Sequence, residues 1–262
     1  MQYNQHIVED NLSIAWLKAL KYVHANGDTF PFIVTIDNIP SDLEKIEILP
    51  VREKLDKFLK EKTQFSVRTV ANTIFPWSLW NPSKKRNELY KRHFSITPSL
   101  KSCHPQNTYG HYFRRMIAYD TDYDVTTYVP GKFNNQLEHI IETWNKGHHR
   151  HTALQVGIFD AERDHVHNRR RGFPCLQQVS FDPFGTNGKD GLGVTGFYPT
   201  QLLIRKGYGN YLGLCRLGYF MAQELGLKFT KMNCIISKAS IDNSITKKEQ
   251  RKLIYDIESI TN

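Results

Sequence analysis

Apolar residues recur with the period of an α-helix in several parts of the chain. In the stretch 210–225, Tyr211, Leu214, Leu217 and Met221 fall on one face of such a helix. This pattern predicts a long buried helix at about 210–225. The same periodicity predicts further helices, several of them followed by a glycine or proline that stops the helix. These helices cover residues 11–25, 51–62, 66–75, 84–93, 133–144 and 247–257.

Runs rich in β-branched and aromatic residues predict the strands. They cover residues 30–36, 153–159, 175–181, 192–203 and 231–237. Residues 160–172 are charged, which predicts a loop. Because strands and helices mix without strict βαβ alternation, the pattern predicts an α+β fold. No repeat, low-complexity tract or linker divides the 262 residues, so we expect a single domain spanning residues 1–262.

The chain is basic, with 35 lysines and arginines against 26 acidic residues and a net charge of +9. This charge favours polyanionic partners such as nucleotides or nucleic acid. A simpler interpretation is that lysines in polar stretches only solvate the surface. These lysines are Lys84, Lys85, Lys247, Lys248 and Lys252. No apolar run approaches the length of a membrane helix, and residues 1–10 do not have the pattern of a signal peptide. We therefore expect a cytoplasmic protein with no membrane partner.

Four cysteines lie far apart, at Cys103, Cys175, Cys215 and Cys234, and no pair has the spacing of a metal site. Scattered cysteines in a chain of this size indicate reduced thiols. Cys175 follows three consecutive arginines at residues 169–171. Positive charge lowers the pKa of a thiol and favours the nucleophilic thiolate, and the same arginines could bind a phosphate. The alternative is that Cys175 is a small buried apolar residue at the start of a strand.

Five histidines flank the segment that precedes these arginines. They are His148, His149, His151, His165 and His167. Their spacing matches no common set of metal ligands, so we interpret them as solvated loop residues and predict no metal site.

Three segments in a fixed order carry a resemblance to a known family. Residues 173–181 read FPCLQQVSF, residues 192–201 read LGVTGFYPTQ, and residues 209–223 read GNYLGLCRLGYFMAQ. This order resembles thymidylate synthases and the related pyrimidine hydroxymethylases, in which a Pro-Cys strand, a second strand and a long helix ending in Met-Ala-Gln follow one another. The resemblance implies a thymidylate-synthase-like fold, with a mixed β-sheet packed by helices, and a homodimer.

The resemblance also implies the chemistry of the site. The thiolate of Cys175 would add to C6 of a pyrimidine and make C5 nucleophilic toward a one-carbon electrophile. Asn210 aligns with the asparagine that reads the base, and its amide suits the O4 and N3 edge of uracil. Tyr109, in a Tyr-Gly-x-x-x-Arg motif, would orient a water that removes the C5 proton. Two alternatives stay open: Asn210 as a helix N-cap, and Tyr109 as a half-buried core tyrosine.

Arginines are the expected phosphate ligands. Arg150, between His149 and His151, aligns with family arginines that reach the substrate phosphate across the dimer interface. Arg114 is the arginine of the Tyr-Gly-x-x-x-Arg motif, and Gln177 lies in the Pro-Cys strand. The predicted substrate-binding residues are therefore Asn210, Arg150, Arg114, Arg169, Arg171, Gln177 and Arg205.

At several positions the chain departs from the family pattern. Pro199 replaces a phosphate-binding arginine, Leu202 the aspartate that holds the folate pterin, and Asn72 the catalytic glutamate. Ser240 and Asp242 replace a His-x-Tyr pair that binds the sugar. The resemblance implies a folate one-carbon donor, yet a leucine cannot accept hydrogen bonds from a pterin, and leaving such donors unpaired costs roughly 1–3 kcal/mol each. The cofactor is therefore left open, and cations such as Arg205 and Lys206 would have to provide a different phosphate site.

Two functions follow. In the first, the protein is an enzyme that uses Cys175 to activate C5 of a uracil-type pyrimidine nucleotide for one-carbon transfer. In the second, the fold has been catalytically repurposed and binds a nucleotide or nucleic acid through its basic surface. A structural subunit of a larger assembly is a weaker third hypothesis.

Overall fold

A computed structural model describes residues 5–103, 110–121, 125–147, 150–167, 173–188 and 190–261 of the chain. These residues form a six-stranded mixed sheet with the strand order β1-β2-β6-β5-β4-β3. The strands are β1 (Gln5–Glu9), β2 (Phe32–Ile36), β3 (Gln155–Gly157), β4 (Gln178–Phe184), β5 (Gly191–Leu202) and β6 (Phe229–Ser240). The β1–β2 and β5–β6 pairs are parallel, and the other three pairs are antiparallel. The predicted α+β class with a mixed sheet is confirmed.

Helices pack on this sheet and on one another. The α-helices are α1 (Leu12–Asn26), α2 (Leu49–Glu61), α3 (Val67–Ile74), α4 (Arg86–Cys103), α5 (Tyr112–Ile117), α6 (Gln136–Asn145), α7 (Ala161–Asp164), α8 (Tyr208–Leu225) and α9 (Lys247–Thr261). The helix predicted at 210–225 is α8, and its residues are buried almost all round. No helix in the described ranges is long and apolar enough to cross a membrane.

Three segments of the structure differ from the elements predicted from the sequence. Helix α4 was predicted to end at residue 93, but it continues past Pro98 because Phe94 and Thr97 prolong its buried face. Strand β1 was not predicted, since only Ile7 of its five residues is buried and the others are exposed or half-buried at the edge of the sheet. The charged segment predicted as a loop at 160–172 contains the short helix α7.

Helix α8 connects the parallel strands β5 and β6 and contacts both of them. On another side it packs closely on α3, and glycines allow the approach. A Cβ atom at Gly209 would lie 2.6 Å from Cβ of Val70, and one at Gly213 would lie 2.9 Å from the carbonyl oxygen of Ala71. Such contacts are closer than real side chains tolerate, so these two glycines set the distance between α8 and α3.

Candidate functional site around Cys175

Cys175 lies in a bend three residues before β4, so the prediction that it opens a strand is wrong. Gln177 holds this bend in place through two hydrogen bonds. Its backbone N–H donates to the carbonyl oxygen of Phe197 on β5, at 2.9 Å, and its side-chain amide donates to the carbonyl oxygen of Pro174, also at 2.9 Å. The amide nitrogen of Gln177 thus holds the loop that carries the thiol, and the predicted role of Gln177 in substrate binding stays a prediction.

Tyr112, at the start of α5, contacts Cys175 directly. Its hydroxyl oxygen accepts the backbone N–H of Cys175 at 3.2 Å, and it also forms a hydrogen bond with the sulfur. The Tyr112 ring stacks on Phe173, with centroids 5.2 Å apart and planes inclined by 25°. Burial is the main cause that raises the pKa of Tyr112. At neutral pH the phenol therefore keeps its proton and can donate a hydrogen bond to the sulfur.

Cys175 differs from the other buried cysteines in its exposure and its neighbours. It is half-buried, whereas Cys215 and Cys234 are fully buried and Cys103 is exposed. Burial raises the pKa of the Cys175 thiol, while the charge of Lys206 and the hydrogen bond from Tyr112 lower it. Burial raises the pKa of Cys234 to about 12, and it raises the pKa of Cys215 further. Cys175 is thus the half-buried thiol on which a nearby cation and a hydrogen-bond donor act to lower the pKa, while burial, the larger effect, keeps that pKa above its ordinary value.

Lys206 reaches this region from a π-helical turn, Leu203–Gly207, that joins β5 to α8. Its ammonium lies 5.3 Å from the centre of the Phe65 ring, and burial lowers its pKa. Turns of this kind are frequent at functional sites because they reorient side chains within a helix. Lys206 was predicted only as a substitute anion ligand, because nothing in a single sequence reveals a π-turn.

Asn210 follows Lys206 by four residues and lies in the first turn of α8. The helix begins at Tyr208, so the N-cap alternative for Asn210 is wrong. Asn210 is buried, and within the described ranges no hydrogen bond to its side chain is found. An amide in this position has both its donor and its acceptor available.

Three further polar groups close to these residues are buried without a hydrogen-bond partner in the part of the chain that the structure describes. They are the hydroxyls of Tyr198 and Tyr211 and the Oε1 atom of Gln201. Tyr198 interacts electrostatically with Tyr112, Cys175 and Tyr211, so these groups share one region of the interior. Buried polar atoms are normally paired, and unpaired ones mark positions where water or a ligand binds. The two tyrosines could not be predicted as site residues, because a tyrosine in an apolar strand or helix has the pattern of a core residue.

The predicted phosphate ligands have diverse surroundings. Arg205 donates from Nε to Oε1 of Gln64, at 2.7 Å, and forms an ion pair with Asp242. Arg114 is fully buried, with its guanidinium 3.4 Å above the Phe94 ring, and it donates to the carbonyl oxygen of Val125 at 2.8 Å. Arg150 is exposed at the start of a short 3₁₀-helix. The structure therefore does not bring Arg114, Arg150 and Arg205 together as free cations. The guanidinium groups of Arg114 and Arg205 are instead engaged in the contacts within the protein described above.

Tyr109, Arg169 and Arg171 lie outside the described residues, as does Arg170. Two of the residues at which the chain departs from the family pattern have partners in the structure. Asn72 accepts a hydrogen bond from Arg216 at 3.5 Å, and Asp242 forms an ion pair with Arg205. The described ranges contain no group of three or more metal-binding side chains. A surface depression of about 540 Å³ is lined by residues 82–87 and Glu224, and none of the described site residues contributes to it.

The site around Cys175 thus combines a half-buried cysteine, a nearby cation, a phenol that donates a hydrogen bond, and buried polar groups that have no partner among the described residues. No protein-family model matches the chain, and no curated protein matches it either. The function is therefore inferred from the site itself and from the resemblance of its motifs.

Proposed function

We propose that this protein is a thymidylate-synthase-like enzyme that uses Cys175 to activate C5 of a uracil-type pyrimidine nucleotide for one-carbon transfer. The observation that carries the proposal is the setting of Cys175: a half-buried thiol that is hydrogen-bonded to Tyr112 and lies within the electrostatic influence of the Lys206 charge. The other two buried cysteines have no comparable access, because each is fully buried.

The proposed reaction begins with addition of the thiolate to C6 of the pyrimidine. A C–S bond forms, the C5–C6 double bond is lost, and its electron pair moves toward C5 and O4. The resulting enolate attacks the one-carbon electrophile through C5, after which C5 loses its proton and the thiolate leaves C6. Covalent addition of this kind divides one difficult substitution into two easier steps. Lys206 stabilises the thiolate before addition, and the Tyr112 hydroxyl supports it through a hydrogen bond.

Recognition of the base requires polar groups in an otherwise apolar interior. Asn210, Tyr198 and Tyr211 provide an amide and two hydroxyls without protein partners in the described ranges. A uracil ring presents two carbonyl oxygens and one N–H, which such groups can pair with. A ligand that lacked these atoms would leave the protein groups unpaired, at a cost of roughly 1–3 kcal/mol for each group. This is the physical basis for the proposed selectivity toward a pyrimidine.

The first test measures exchange of the C5 hydrogen with solvent deuterium, a partial reaction that needs the thiol but no one-carbon donor. Deuteration of deoxyuridine, uridine and their 5′-monophosphates is followed by mass spectrometry. We expect exchange with at least one of these compounds, and a loss of more than about 10³-fold in Cys175→Ala. Cys103→Ala, which removes an exposed thiol, serves as the control and retains exchange. Exchange that persists in Cys175→Ala would contradict the proposal.

A second candidate is a nucleotide-binding or nucleic-acid-binding protein of the same fold. It is favoured by two observations: burial raises the pKa of the Cys175 thiol, and Asn72 stands where the family has its catalytic carboxylate. This candidate predicts binding of nucleotides or nucleic acid without any C5 exchange. Salt-dependent binding of DNA or RNA by the wild-type protein, with no exchange across the four compounds, would favour it over the enzyme.

A further inference from the structure

A buried arginine on α8, Arg216, has no carboxylate within ion-pair distance among the residues that the structure describes. Arg216 follows Gly213 by three residues and Gly209 by seven, so it continues the stripe of α8 that packs on α3. Its side chain is directed over α3: one guanidinium N–H faces Oδ1 of Asn72, and the guanidinium carbon lies 5.6 Å from the centre of the Trp77 ring.

The contacts of Arg216 are few for a charge in this position. The residue is only 6% exposed. Its hydrogen bond to Asn72 is 3.5 Å long, which is the limit for such a bond, although a guanidinium has five N–H donors. Within the described ranges, no carboxylate lies within ion-pair distance of Arg216. A buried charge without a directly paired counter-ion is unfavourable, so an anion that bound at this position would stabilise the arrangement.

The neighbouring charges make the local excess of positive charge larger. Glu47 is the nearby carboxylate, but it is already engaged by an ion pair with Arg52 and by the hydroxyl of Tyr208 at 3.0 Å. Arg68 lies on α3 four residues before Asn72, hence on the same face of that helix, and it is exposed. Burial lowers the pKa of Arg216 to about 10; Glu47 opposes this change, and the charges of Arg68 and Arg52 add to it.

We propose that Arg216, Asn72 and Arg68 form a binding site for a phosphate dianion, at the point where α8 crosses the end of α3. Arg52, Arg68 and Arg216 carry three positive charges and Glu47 one negative charge, which leaves two positive charges for the ligand to neutralise. A phosphate dianion provides two negative charges and several acceptor oxygens, and the fork of a guanidinium binds it through two parallel hydrogen bonds. A single carboxylate would balance only one of the two charges.

The site opens toward solvent along α3. Arg68 is exposed, and Asn72 and Trp77 are half-buried, so a ligand approaching from this side meets Arg68 before Arg216. The hydrogen bond between Cys175 and Tyr112 involves none of these residues. Asn72 aligns with the catalytic glutamate of the family that the chain resembles, so the test uses inorganic phosphate alone, and its outcome does not depend on C5 exchange.

The experiment measures the melting temperature of the protein in inorganic phosphate, in acetate and in chloride, at equal ionic strength and pH 7.5. We expect phosphate to raise the melting temperature above the value in chloride, while acetate gives a smaller rise. Trp77 provides a second readout, because phosphate binding to the adjacent Arg216 changes its fluorescence. Titration with phosphate then gives a dissociation constant.

Arg216→Met removes the charge but keeps an apolar side chain of similar length. We expect it to melt at or above the temperature of the wild-type protein in chloride and to bind phosphate at least tenfold more weakly. Arg68→Gln, at an exposed position, is expected to weaken phosphate binding about threefold without changing the fold. Arg251→Met, which removes an exposed arginine on α9, is the matched control and binds phosphate as the wild-type protein does.

Several results would overturn the proposal. One is a wild-type protein whose melting temperature and Trp fluorescence are the same in phosphate and chloride. Another is retention of phosphate binding in Arg216→Met. Equal responses to acetate and phosphate would exclude phosphate as the class of ligand. If Arg216→Met does not fold, Arg68→Gln decides alone: unchanged affinity in this variant contradicts the site.

Discussion

Two tyrosines on helix α8 differ in whether their buried hydroxyl groups have hydrogen-bond partners. Tyr208 and Tyr211 are both fully buried on α8. The Tyr208 hydroxyl contacts Ser13 Oγ at 2.8 Å and donates to Glu47 at 3.0 Å. The Tyr211 hydroxyl has no hydrogen-bond partner in the part of the chain that the structure describes.

The two hydroxyls lie in regions that differ in hydrogen bonding. In the completed region, around Tyr208, folding pairs the buried polar groups with one another. In the incomplete region, around Tyr211, it leaves buried polar groups without partners among the described residues. Around Tyr208, side chains of α1 and of the segment before α2 satisfy each other, and Ser13 Oγ also accepts the backbone N–H of Ile48 at 2.8 Å. Around Tyr211, the hydroxyl of Tyr198 and Oε1 of Gln201 likewise have no hydrogen-bond partner within the described ranges. Folding alone explains the first set of polar groups, whereas the second set is explained only when water or a ligand supplies partners.

The larger effect is expected at the completed region. Tyr208→Phe removes the donor to Glu47 and one partner of Ser13, leaving a buried carboxylate oxygen without that hydrogen bond. We expect the free energy of unfolding to fall by about 1–3 kcal/mol. Urea denaturation at pH 7 measures this change. A variant as stable as the wild-type protein would show that the Tyr208 network does not hold α8 in place.

The smaller effect is expected at the incomplete region. Tyr211→Phe removes a hydroxyl that has no protein partner, so we expect the free energy of unfolding to change by less than about 0.5 kcal/mol or to increase. The same denaturation measurement applies, with Tyr208→Phe as the matched substitution on the same helix. A loss of stability equal to that of Tyr208→Phe would remove the distinction between the two regions.

The sequence predicts most of the architecture because its elements carry strong periodic patterns. The helix at 210–225 was predicted from its apolar spacing, and strands β5 and β6 from runs of β-branched and aromatic residues, whereas β4 was predicted at 175–181 and begins three residues later. Strand β1 was not, because an edge strand with a single buried residue lacks a clear alternation. The predicted start of a strand at Cys175 was wrong, since hydrogen bonds of Gln177 hold that segment in a bend.

The candidate site was only partly predictable. Cys175 and Asn210 stood out through their motifs, and Lys206 was visible as one cation among many. Arg205 was predicted to bind phosphate. In the structure its guanidinium forms an ion pair with Asp242, which lies 37 residues further along the chain. Contacts of this kind depend on how α8 and the sheet pack, and no local pattern reveals them. The role of Tyr112 was missed for the same reason.

The most direct test of the central claim is the reactivity of each cysteine toward iodoacetamide, measured by mass spectrometry across a range of pH. Both Lys206 and Tyr112 lower the pKa of Cys175, against the effect of burial. Removing the charge in Lys206→Met must therefore raise the pKa of this thiol and shift its alkylation midpoint to higher pH. Lys228→Met, at an exposed lysine, is the control and leaves the midpoint unchanged.

In the folded protein we predict that Cys175 is alkylated, alongside the exposed reference Cys103, while Cys215 and Cys234 react only after unfolding. The midpoint for Cys175 is predicted to rise in Lys206→Met and to stay constant in Lys228→Met. A Cys175 that is as protected as Cys215, or a midpoint that does not respond to Lys206→Met, would contradict the assignment of Cys175 as the nucleophile.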